Sequence, residues 1–153
     1  MGGVRQDRPL QQLATTECWS LLRSTPVGRV IFTDHALPAA LPVNYVISGT
    51  SIIFRTSPRS PLAHATEDQV VAFEIDHVDP VSWSGWSVLV VGVAQPVREG
   101  SQMLRATELG LATWAGDGLD LFIRITPGQV TGRVLNHLPD PIGRPAPETS
   151  SQN

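Results

Sequence analysis

Lysine is missing from this chain: all eleven of its basic residues are arginine. That absence removes an internal Schiff base, a P-loop lysine and any lysine general base. A phosphate bound here has to be held by arginine, hydroxyls and backbone N–H groups. Cysteine is nearly missing as well. Cys18 stands alone, which excludes an intrachain disulfide and a thiolate zinc cluster. It falls in an amphipathic helical stretch and reads as a buried, inert thiol. No apolar run approaches the roughly 20 residues that span a bilayer, so no membrane partner is expected. Arg5 and Arg8 are not followed by an apolar segment, so the expectation is a cytoplasmic protein without a secretory signal. The net charge of -3 provides no basic field for nucleic acid. A Gly-x-Ser-x-Gly nucleophile elbow is lacking. His35, His64, His77 and His137 do not fall at metal-ligand spacing, and Glu74, Asp76 and Asp79 read as a solvated strand face and turn, so no metal is expected.

What is present suits one folded domain: 153 residues, 41% of them hydrophobic. Residues 1–12 read as a flexible N-terminus, 13–136 as the domain, and 137–153, with Pro139, Pro141, Pro145 and Pro147, as a disordered tail. Thr15 or Thr16 can cap a helix over 17–23 that turns Trp19, Leu21 and Leu22 to a core. Strands are expected over 28–33, 39–47, 51–56, 70–76, 87–97, 120–125 and 130–135, the last two separated by a Thr126-Pro127-Gly128 bend. Pro42 inside the second strand argues for an edge or a bulge, because proline cannot donate to the ladder. Short helices are expected near 61–66 and 101–112. Strands and helices do not alternate as in parallel sheets. The pattern therefore predicts a mainly β fold, an antiparallel closed barrel with short flanking helices.

One stretch carries chemistry: Phe54-Arg55-Thr56-Ser57-Pro58-Arg59-Ser60-Pro61. A β-prone run ends in two arginines and three hydroxyls, then Ser60 and Pro61 suit the N-cap and first position of a helix. Forked guanidinium donors beside backbone N–H groups are the parts of a phosphate site. The same residues also suit an ordinary surface turn with its arginines in water. Trp86 opens the longest apolar strand, where it either packs on a ligand or seals the barrel mouth. Trp83 and Trp114 sit in loop-like settings that suit a subunit interface, a cleft or simple packing.

The order of several short pieces is more specific than any one of them. Val27-Gly28-Arg29, Leu41-Pro42-Val43-Asn44-Tyr45, Phe54-Arg55-Thr56, Val71-Ala72-Phe73-Glu74-Ile75-Asp76 and Gly85-Trp86-Ser87-Val88-Leu89-Val90 follow one another, with Ile125-Thr126-Pro127 and Val130-Thr131-Gly132-Arg133 late in the chain. Together they resemble the pyridoxamine 5'-phosphate oxidase-like family of flavin-binding split barrels, over roughly residues 15–135. The resemblance implies a six-stranded antiparallel split β-barrel of Greek-key type. It also implies a homodimer with flavin mononucleotide (FMN) in each of two clefts between subunits. Arg55, Thr56 and Ser60 fall where the family grips the cofactor phosphate. Pro42, Val43 and Asn44 would run beside the flavin ring, Trp86 and Ser87 would line the site, and Trp114 would face a substrate cleft. Family members often carry lysine directly after the serine matching Ser60. Here that residue is Pro61, and Arg59 is close enough in sequence to substitute for the missing charge. The implied activity is an oxidoreductase passing hydride or electrons between flavin and a small molecule, with no catalytic residue named because the redox chemistry belongs to the cofactor. Two other readings follow from the same family: a deazaflavin-dependent reductase, whose anionic coenzyme would draw on Arg5, Arg8 and Arg29, and a non-catalytic flavin- or haem-binding module.

Overall fold

A computed structural model describes residues 11–111 and 121–135 of the chain. Its elements are β1 (Gln11–Gln12), α1 (Thr15–Ser24), β2 (Val27–Asp34), β3 (Leu37–Ser48), β4 (Ser51–Thr56), α2 (Pro61–Ala65), β5 (Gln69–Asp79), β6 (Ser84–Pro96), α3 (Gly100–Glu108) and β7 (Leu121–Leu135). The strands run in the order β1-β7-β4-β3-β2-β5-β6, and β6 pairs again with β7. Six strands thus close into an antiparallel barrel, while the two-residue β1 adds to the outside of β7. Strands β2, β3 and β4 follow as hairpins and β5 returns beside β2, which is the Greek-key order. No helix among the described residues is long and apolar enough to cross a membrane.

Alternation decides what each strand buries. Val30 and Phe32 of β2, Ile52 and Phe54 of β4, Val71, Phe73 and Ile75 of β5, Val88 and Val90 of β6, and Ile123 and Ile125 of β7 fill the barrel. Each side chain of this size stabilises the fold by roughly 1.5–3 kcal/mol when fully buried. Cys18 and Leu22 join this core from α1, and burial pushes the Cys18 thiol pKa up, as the inert reading requires. On the opposite face of β4 and β7, Ile53 and Phe122 meet Val97, Ala106 and Leu111 in a second cluster with α3.

Three expectations need correction. The helix α1 starts at Thr15 behind Ala14, whose N–H donates to the Glu17 carboxylate at 2.8 Å, so neither threonine is the cap. Gln11 and Gln12 are strand residues paired with Val134 and Arg133, within the stretch expected to fray. Strand β7 is continuous through Thr126-Pro127-Gly128; the irregularity lies across from it, as a register shift between Val91 and Gly92 of β6. There the Thr126 carbonyl lies 2.2 Å from where a Gly92 Cβ would stand, so glycine makes the close approach possible. Of the domain limits, 1–10 and 136–153 lie outside the described residues.

Candidate functional site at the split of the barrel

Strand β3 changes partners halfway. Residues Leu37 to Asn44 pair with β2, and Tyr45 to Ser48 pair with β4. The β3–β4 ladder therefore stops at Tyr45↔Phe54, and Arg55 and Thr56 keep only β7 beside them. Pro42 lies in the part of β3 that has β2 on one side alone, an edge position that suits a residue with no N–H.

A cavity of about 450 Å³ opens in this split. Arg55, Thr56 and Ser60 line one side, and Leu41, Pro42, Val43 and Asn44 another, with Val27, Leu62 and Leu111 completing it. The residues expected at the phosphate and those expected beside a ring thus meet in one cavity. Ser60 is the N-cap of α2: its Oγ accepts from the Leu62 N–H at 3.2 Å, which leaves its own O–H for a ligand acceptor. Helix α2 has five residues, so the positive charge at this site comes from Arg55 rather than from a helix dipole. Arg55 Nη1 donates to the Leu111 carbonyl at 3.4 Å, and its guanidinium carbon lies 4.8 Å from the centroid of the Phe122 ring.

Arg59 is not brought to the cavity wall. Its side chain is exposed, and its backbone N–H donates to Ser57 Oγ at 3.2 Å. The Pro61 position is exposed too, at the start of α2. Ser87 lies elsewhere, in a recess of about 230 Å³ with Glu74, Leu89, Thr131 and Arg133. Burial there raises the Glu74 pKa, Asp76 adds to the rise, and Arg29 opposes it through its 3.2 Å contact to Glu74; the same guanidinium lies 3.0 Å from Asp76. Trp86 packs against the barrel core, with its ring 6.3 Å from that of His77. Within one chain, then, Trp86 and Ser87 do not share the Arg55 cavity. Trp114 lies outside the described residues. Among the described residues, no group of three or more His, Cys, Asp or Glu side chains is placed to hold a metal ion.

The wall residues Val27, Leu41, Leu62 and Leu111 are not among the site residues expected from the sequence, although Val27 and Leu41 open two of the pieces that carry the resemblance. Leu41 shares its strand face with Val43 at spacing two, which was the available signal. Leu111 carries none, because it arrives from the end of α3.

The sequence profile of the pyridoxamine 5'-phosphate oxidase family matches residues 14–134. An uncharacterised protein of Mycobacterium tuberculosis is 37% identical over 130 residues, covering 82% of this chain and 85% of the relative. The structure of an FAD binding protein from Mycobacterium smegmatis aligns with a TM-score of 0.76 at 34% identity, over 84% of this chain and all (100%) of that one. A conserved protein of unknown function from Corynebacterium diphtheriae aligns with a TM-score of 0.72 at 30% identity, over 83% of this chain and 98% of that one. On its sequence and on its barrel, this chain belongs to the pyridoxamine 5'-phosphate oxidase family.

Proposed function

We propose that the protein binds a flavin by its mononucleotide, either FMN itself or the same half of a dinucleotide, and passes hydride or electrons between it and a small molecule. The observation that carries this reading is the cavity in the split, where Arg55, Thr56 and Ser60 face the apolar strand Leu41 to Val43. A cationic, hydroxyl-bearing end suits a phosphate, and an apolar wall beside it suits a planar ring. The Mycobacterium smegmatis relative at 34% identity is an FAD binding protein, which supports the same ligand class.

The chain's own part is orientation. Arg55 supplies the charge-assisted bonds, and Thr56 and Ser60 supply hydroxyls. Pro42 and Val43 limit water on one side of the ring, and Asn44 offers a polar edge. Bound flavin supplies the redox chemistry. Trp86 and Ser87 join such a site only from a second copy, so the working unit we propose is a homodimer with each cofactor between subunits. Trp114 stays with the proposed substrate cleft.

Two observations disfavour the other cofactors. Arg29, the described member of the arginines that a deazaflavin coenzyme would use, is engaged by Glu74 and Asp76. No His, Met, Cys or Tyr is among the described residues lining the cavity, so none offers an axial ligand to haem.

The test is retention. Purified protein is mixed with FMN or FAD, desalted, and read by visible absorbance, with the released cofactor identified by chromatography. Flavin is expected to stay with the protein, and Arg55→Ala should weaken binding by about ten- to a hundred-fold, the scale of a lost charged hydrogen bond. Equal retention by Arg55→Ala would move the phosphate out of this cavity.

A further inference from the structure

Arg55 and Phe122 stand directly opposite each other in the β4–β7 register, on the outer face of the barrel wall. The guanidinium carbon lies 4.8 Å from the ring centroid, within the range of a cation–π contact. The ring itself is fixed. Phe122 is 7% exposed and packs with Ile53, Val97, Ala106 and Leu111. The last of these also presents its carbonyl to Arg55 Nη1. Phosphate binding as proposed above gives this ring no part.

We propose that Phe122 is a positioning residue for the phosphate site: its ring holds the Arg55 guanidinium in the orientation that meets the phosphate, and so sets how strongly the site prefers a phosphorylated flavin. The inference rests on the flavin reading and deepens it. A ring contact occupies the face of the guanidinium, while its N–H donors point outward in the plane, toward hydrogen-bond acceptors. A contact of this kind and phosphate binding use different parts of one group and need not compete. An arginine loses much side-chain freedom when it clamps a ligand, and a guanidinium already held against a fixed surface loses less at that moment. An aliphatic side chain at 122 would fill the space without attracting a cation.

The experiment measures dissociation constants for FMN and for riboflavin, by flavin fluorescence quenching, on the full chain and four variants. Riboflavin lacks the phosphate, so the ratio of the two constants isolates what the phosphate site contributes, and Arg55→Ala shows the share that Arg55 carries. Phe122→Leu should lower the preference for FMN by about fivefold, the scale of a partly buried cation–π contact, and leave riboflavin binding unchanged. Phe122→Tyr keeps the ring and should keep the preference. Phe122→Met fills similar volume with an unbranched chain and gives the same reading should Phe122→Leu not fold. Thermal midpoints of all variants separate loss of fold from loss of positioning. If Arg55→Ala removes the preference and both aliphatic variants keep it, the proposal is wrong while the flavin reading stands. If FMN and riboflavin weaken equally in Phe122→Leu, the ring is structural only and the proposal is again wrong. If the parent protein shows no preference for FMN over riboflavin, the phosphate site fails, and the role of Phe122 fails with it.

Discussion

Tyr45 is the single tyrosine of the chain, and its hydroxyl donates to the Leu22 carbonyl at 2.7 Å inside the core. Burial raises its pKa well above the ordinary value near 10. A tyrosine is neutral when protonated, so the folded chain keeps a proton that the unfolded chain loses. Above about pH 10 the unfolded state binds fewer protons, and stability falls as pH rises. Phenolate absorbance should therefore stay flat in the native protein and rise only together with loss of circular dichroism. Tyr45→Phe should remove the tyrosine's share of that slope, leaving the part due to the buried Cys18 thiol, and cost about 1 kcal/mol at neutral pH, read by urea denaturation. Gly28 gives a second expectation. A Cβ there would stand 2.2 Å from Phe73 Cζ, and that ring is fully buried edge-on to Tyr45 with centroids 4.7 Å apart. Gly28→Ala should destabilise the fold by about 1–3 kcal/mol, since the ring has no room to retreat.

Among the elements, the end of α3 matters most to the site. Gly110 adopts φ 99°, which returns the chain so that Leu111 enters the second cluster and turns its carbonyl to Arg55. Among the described residues, no atom outside the chain neighbours lies within 4 Å of an added Cβ, so the effect expected of Gly110→Ala is backbone strain. The expected cost is about 1 kcal/mol in urea denaturation, together with weaker FMN binding. Local chemistry was legible in the sequence. Ser60 and Pro61 start α2, and the alternating run through Val71, Phe73 and Ile75 forms β5. Pairing that depends on closure was not legible. Pro127 stays in a strand because Gly92 across from it lets the backbones approach, which neither residue announces alone. The cationic side of the candidate site was readable for the same reason: Arg55, Thr56 and Ser60 are near neighbours in the chain. Phe122 reaches Arg55 only when β4 pairs with β7, and Leu111, 56 residues away in sequence, only when the end of α3 packs on those strands. Arg59 shows the converse: it is near the phosphate loop in sequence, yet within one chain its side chain is exposed and away from the cavity wall.

For the whole molecule, the outer face of β5 and β6 is the surface the proposed homodimer would cover. Val70 opposes Val93 there and Glu74 opposes Leu89, with Val70 68%, Val93 39% and Leu89 39% exposed. The recess that holds Ser87 lies on this face beside Leu89. Sedimentation should give twice the 16.5 kDa chain mass, and Leu89→Arg should give the monomer mass with its flavin lost on desalting. A dimeric parent whose Leu89→Arg form keeps both assembly and flavin would place the interface elsewhere. The hairpin joining β2 and β3 has a kinetic consequence for the barrel. Its two turn residues, His35 at φ 48° and Ala36 at φ 65°, occupy the left-handed region that asparagine and glycine favour. Such a turn resists forming by itself, so this hairpin is a poor seed and its strands wait for contacts made elsewhere. Ala36→Gly should accordingly stabilise the protein by slowing its unfolding while leaving the refolding rate nearly unchanged.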